Sequence, residues 1–181
     1  MVSDELPQQP PQNDFPGSPA SIEMTSLPEP IVMSLYRQYY DLIWQGEKRH
    51  EFRRRFLTDT PTTWFVYFNA PVSTLSAVID LGPAIAAPPE RIAEIAEQAR
   101  PVNGASVLEY VKDLEQAFAI PILRVREYTG LSEHDLRTEL GSWQRPHGYV
   151  RLNENPPLKA VCGRLLADKP TREMLVDHPN P

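Results

Sequence analysis

The chain has 181 residues, a formal charge of −6 and 20 prolines, and a chain of that length folds as one domain burying about 70% of its unfolded surface without disulfides or metals. Its only cysteine, Cys162, excludes an internal disulfide and a cysteine-rich zinc site, and His50, His134, His147 and His178 show no close metal-ligand pairing, so no metal and no cofactor are expected. The longest apolar runs fall well short of the ~18 residues of a membrane span, and the N-terminus lacks the basic and apolar regions of a signal peptide, which predicts a cytoplasmic protein with no membrane partner.

Residues 1–30 hold seven prolines and five acids (Asp4, Glu5, Asp14, Glu23, Glu29) with no lysine or arginine, so this segment supplies −5 of the −6 charge. Few large apolar groups interrupt it, and it is expected to be a disordered tail, because it cannot bury enough surface to offset the entropy of ordering. The remaining 151 residues carry 19 acids against 18 bases. A locally basic site is therefore compatible with the acidic total, since electrostatics act through where charges lie. A folded domain is expected over residues 31–168. Residues 31–34 read as a short strand. Leu35, Tyr39, Leu42 and Ile43 then recur at helical spacing up to the stop at Gly46.

Two extended runs follow, residues 48–57 and 63–69, and the turn-forming residues 59–62 between them predict a β-hairpin. The run Thr63, Trp64, Phe65, Val66, Tyr67, Phe68 is almost wholly aromatic or β-branched and is the expected central strand. Residues 74–81 read as a strand that residues 85–87 continue past Gly82 and Pro83. Two helical patterns, residues 90–100 and 106–118, are separated by Pro101 to Gly104 and form a predicted helical insertion over about residues 88–118. Residues 120–128 read as a strand and residues 149–152 as a last short one. Ser132 with Asp135 opens a helix, and residues 158–166 predict a terminal helix. Residues 169–181 are expected to fray as a flexible tail.

The chemistry concentrates in residues 48–55, which hold five bases and one acid within eight positions. In an extended strand Glu51, Arg53 and Arg55 share one face while Phe52, Arg54 and Phe56 share the other, and the phenylalanines mark that second face as the core side. Lys48 has the wrong parity for the polar face and must reach it from the turn or across a bulge. A lysine donates and a glutamate accepts hydrogen bonds, a pairing suited to a nucleobase, while arginines fork onto phosphate. The same pair suits acid–base chemistry if burial shifts its proton affinities. The alternative is an edge strand protected from aggregation by its charge.

Gly46, Lys48, Glu51 and Arg53 occupy every fixed position of the G-x-K-x-x-E-x-R signature, and the segment resembles that motif of the ASCH domain superfamily, a PUA-like β-barrel group associated with RNA binding. The order of strand, helix, motif strand and aromatic strand extends the resemblance over roughly residues 31–152. Within the superfamily the chain is similar to proteins described as predicted transcriptional regulators, which carry a loop like Arg145, Pro146, His147, Gly148, Tyr149. The resemblance implies an α+β, PUA-like small mixed β-barrel with flanking helices, binding RNA, a nucleotide or a nucleoside through Lys48, Glu51, Arg53 and Arg55 in regulation or RNA processing. ASCH-like hydrolases of acetylated cytidine or RNA imply a second role, in which Lys48 and Glu51 are catalytic. Glu51, however, stands where the amidohydrolase pattern has a threonine nucleophile.

Tyr40 and Trp44, four residues apart on the first helix, are candidates to line the cavity beside the motif. Trp64, Tyr67 and Phe68 are candidates for base stacking, with core packing as the default. His147 and Tyr149 sit in a loop suited to closing over a ligand or to plain solvent exposure. The buried-type residue Cys162 is expected in the core. The sequence sets no oligomeric state.

Overall fold

The computed structural model describes Met24, residues 27–57 and residues 60–179. The acidic tail expected over residues 1–30 lies, up to residue 23, outside the described residues. The domain itself starts earlier than expected, because Met24 is buried and the first strand, β1 (Glu29–Leu35), already includes Glu29 and Pro30.

After β1 the chain forms α1 (Arg37–Trp44), β2 (His50–Arg53), β3 (Thr62–Phe68), β4 (Thr74–Leu81), β5 (Ile85–Ala87), α2 (Pro89–Ala99), α3 (Asn103–Val111), β6 (Ala117–Ser132), α4 (Glu133–Leu140), β7 (Tyr149–Arg151), α5 (Pro156–Ala167) and β8 (Arg172–Leu175). The strands form one mixed sheet in the order β2-β6-β4-β3-β1-β7, with β5 and β8 also paired to β6. The sheet curls into a half-barrel, the predicted α+β, PUA-like architecture.

The aromatic strand β3 occupies the centre, buried along its whole length. Ile31, Met33, Leu35, Trp64, Val66 and Phe68 point into the barrel core with Tyr40 and Ile43 of α1. Their alternates Val32, Phe65 and Tyr67 point to a second core beneath α5 with Leu158, Val161 and Cys162. A strand covered on both faces reads as a continuous apolar run, which is why the sequence shows no alternation there.

The predicted hairpin does not form. Only His50–Arg53 of residues 48–57 become a strand, and β2 pairs with β6 (Glu51 opposite Ile120), whereas β3 pairs parallel with β1 and antiparallel with β4. Both edges of β3 are thus satisfied, and β2 takes the edge that the first half of β6 leaves open. Strand β6 is longer than expected and serves several partners, with β2 and β5 beside residues 117–121 and β4 and β8 beside residues 122–132. Gly130 permits its path past β4. Its φ is +78°, and an added Cβ would lie 2.4 Å from Ser76 Cβ and 2.5 Å from the Leu75 carbonyl oxygen.

The C-terminal segment expected to fray instead adds β8, where Arg172 pairs with Glu127 at 2.9 Å and Arg124 with Glu173 at 2.7 Å. The insertion forms two helices as expected but ends sooner, since Ala117 and Phe118 belong to β6. Its apolar face (Ile92, Ile95, Val107, Val111) closes on Ala117, Ala119 and Phe52.

Candidate functional site

The site begins with the end of α1. Gly46 adopts φ +77°, its N–H donates to the Ile43 carbonyl, and the Glu47 N–H donates to the Leu42 carbonyl. This pair of bonds is a Schellman cap, and it turns the chain sharply so that Lys48 reaches back over the start of β2. Lys48 thereby joins Glu51 despite its parity, with Nζ 3.0 Å from Glu51 Oε2. On the other side Arg53, two residues along the strand on the same face, places Nε 2.9 Å from Glu51 Oε1.

The three side chains are largely withdrawn from water, Glu51 at 6% exposure, Lys48 at 14% and Arg53 at 21%. The face expected to be solvated therefore points inward. Phe52, assigned to the core by its apolarity, packs instead against the insertion helices. The reason is tertiary: α2 and α3 offer Phe52 an apolar surface on the outer side of β2, which leaves the inner side to the ion cluster. Arg53 lies over the Trp64 ring at 5.8 Å and Lys48 over the Phe52 ring at 5.6 Å, so each cation also rests on an aromatic face.

Burial alone would raise the proton affinity of Glu51, but the charges of Lys48 and Arg53 outweigh it and hold the carboxyl below the ordinary carboxylate range. Glu51 is an anion pinned between two cations. Each carboxylate oxygen has a cation of its own, Oε2 the Lys48 ammonium and Oε1 the Arg53 guanidinium. On the same strand burial is the main cause that lowers the His50 imidazole to about 4, helped by the neighbouring His178, Lys48 and Arg49.

Lys48 and Glu51 lie at the floor of an open cleft of about 540 Å³ between α1 and the insertion. Tyr39 on one wall and Tyr110 on the other are 47% and 46% exposed. Arg100, Asn103 and Ser106 complete the insertion's side, so the inserted helices build the site and do not merely flank it. Arg54 fixes them, donating to Asp113 at 2.6 and 2.7 Å and to the Tyr110 carbonyl at 2.6 Å. A second cleft of about 350 Å³ adjoins along β2, lined by Arg53, Arg54, Arg55, Tyr110, His147 and Tyr149 among others.

The structure thus brings together Lys48, Glu51 and Arg53 and places Arg55 in the neighbouring cleft. It does not bring Tyr40 or Trp44 there. Tyr40 is fully buried against Phe68, and Trp44 stacks under Arg172 at 3.9 Å on the far side of α1. One face of α1 carries Tyr40 and Ile43 into the core, and the neighbouring face, about 100° round the helix, carries Tyr39 and Leu42 to the cleft. Trp64, Tyr67 and Phe68 are core residues. Tyr39, which the sequence places on the apolar stripe of the helix, is instead half exposed at the cleft, and Tyr110 had no local signal because only the docking of the insertion brings it to the motif.

No family model and no curated protein matches the chain. Among solved structures it is similar to the ASCH protein of Zymomonas mobilis, with a TM-score of 0.60 at 18% identity over 74% of this chain and 94% of that one. A serine-to-alanine variant of the same protein gives a TM-score of 0.63 at 18% identity over 74% of this chain and 95% of that one. A tyrosine-to-phenylalanine variant gives 0.63 and 18% over 74% of this chain and 97% of that one. The aligned fold and the sheet topology lead to one conclusion: this chain has the PUA-like fold of an ASCH domain.

Proposed function

We propose that this domain binds single-stranded RNA or a nucleotide, taking a base into the cleft between Tyr39 and Tyr110 and reading its edge with Lys48 and Glu51, in a regulatory or RNA-processing role. The observation that carries this reading is the buried Glu51 carboxylate, fixed beside a lysine at the floor of a cleft with exposed aromatic walls. An amine-bearing base such as cytosine or adenine presents a donor next to an acceptor, which complements a carboxylate oxygen next to an ammonium group. Aromatic walls stack on any base, worth about 1–3 kcal/mol each by alanine substitution. Among the described residues no helix is long and apolar enough to cross a membrane.

Catalysis by Glu51 as a general base draws less support from the geometry. A carboxylate whose proton affinity is held low by two cations accepts a proton poorly near neutral pH. Fluorescence-anisotropy titration of short labelled RNAs at low salt tests the binding reading. Short single strands or nucleotides should bind, and Lys48→Ala or Tyr39→Ala should each weaken binding by about tenfold. Absence of binding to every strand and nucleotide at low salt refutes it.

A further inference from the structure

We infer that the two clefts on either side of Tyr110 are compartments of one site whose ligand is a nucleotide held by both base and phosphate, the phosphate lying against Arg53, Arg55 and His147; this rests on the base-binding reading above. The clefts share Tyr110 as a common wall, and they are joined beneath it by the contact between Arg53 of the smaller cleft and Glu51 of the larger. Their floors are continuous on β1 as well. Met33 lines one and Leu35 the other, side chains on the same face of the strand and about 7 Å apart along it.

The compartments differ in chemistry. Glu47, Glu51, Asn103 and Ser106 give the larger cleft hydrogen-bond acceptors beside the donors of Lys48 and Arg100. The smaller cleft is lined by Arg53, Arg54, Arg55 and His147 with no carboxylate among its lining residues, a composition suited to an anion. Arg54 is committed to Asp113, whereas Arg55 is exposed and makes no ion pair among the described residues. Arg55 thus turns an exposed guanidinium toward the cleft that an incoming phosphate would enter.

The loop opposite is anchored. Ser34 Oγ donates to the Pro146 carbonyl at 3.1 Å, Arg145 donates to Asn69 Oδ1 at 3.0 Å, and the Tyr149 ring meets Phe56 edge-on at 5.9 Å. His147 is thus presented from a tethered loop, and its imidazole N–H can donate to a phosphate oxygen. A neutral nucleoside fills half of such a site.

Calorimetric titration of the full chain with cytidine, adenosine and their 5′- and 3′-monophosphates tests the inference. At low salt the better monophosphate should bind at least about tenfold more tightly than its nucleoside, and the advantage should shrink as salt is added. In a variant carrying Arg55→Glu and His147→Ala, both at exposed positions, the ratio of nucleotide to nucleoside affinity should fall to near one. Nucleosides binding as tightly as monophosphates, or a phosphate advantage that survives in that variant, overturns the two-compartment site while leaving base binding in place. Failure of every ligand to bind overturns both.

Discussion

Replacing Glu51 with alanine removes the anion between two cations that have little water of their own. At about 3 Å each contact is worth roughly 5 kcal/mol of Coulomb energy at an effective dielectric of 20, most of it offset by the desolvation that burial already cost. Breaking a buried pair by deleting one partner costs about 3–5 kcal/mol. The lower end applies here, because Lys48 and Arg53 retain 14% and 21% of their side-chain exposure and can recruit water. Glu51→Ala should therefore lose about 3 kcal/mol. The triple replacement Lys48→Met, Glu51→Leu, Arg53→Met, which leaves no stranded charge, should stay within about 1 kcal/mol of the parent while losing ligand binding. Urea unfolding followed by circular dichroism measures both, with an unchanged slope confirming that the midpoint shift is a stability change. A loss under about 1 kcal/mol for Glu51→Ala would mean that the cluster is solvated and its cations easily rehydrated, and the reasoning would fail.

Other consequences follow from the same geometry. Because the folded state holds the Glu51 carboxyl below its ordinary value, the stability it contributes is fully present above that value and drains away as pH falls through and below the ordinary carboxylate range; an Glu51→Gln variant should show a flatter acid limb in pH-dependent unfolding. His50 acts in a higher window, since an imidazole lowered to about 4 in the folded state but ordinary when unfolded makes stability decline as pH falls from about 6.5 to about 4. His50→Gln should remove that decline and leave the lower one, which distinguishes the two groups in a single titration series. Gly130→Ala should cost more than about 2 kcal/mol or prevent folding, whereas Gly46→Ala, with the same sign of φ but nothing within 4 Å of the added Cβ, should cost only about 1 kcal/mol; thermal melts of the pair compare them directly. Arg172→Ala removes one of the two arginines, with Arg37, that pair with Glu127 and uncovers Trp44, and hydrogen exchange should show faster opening of β8 while the ladder between β3 and β4 is unchanged.

Sequence patterning alone determined the local elements of this protein: the aromatic and β-branched strand β3, the glycine stop at Gly46, the capping box of Ser132 with Asp135, and the two helices of the insertion. These depend on side-chain period, backbone conformation and bonds within a few residues, all of which are written locally. The charge density and spacing at Lys48, Glu51 and Arg53 likewise marked the candidate site before any fold was known. Tertiary structure decided the rest. Residues 48–69 look like a hairpin because turn residues separate two extended runs, but β3 had already given both edges to β1 and β4, so β2 went to β6. The facing of β2 was set by its surroundings: an apolar insertion surface took Phe52 on the outside, and the mutual attraction of three charges made it tolerable to bury Glu51 on the inside. Tyr110 reached the cleft, and β8 the sheet, through contacts spanning tens of residues, which no local period records.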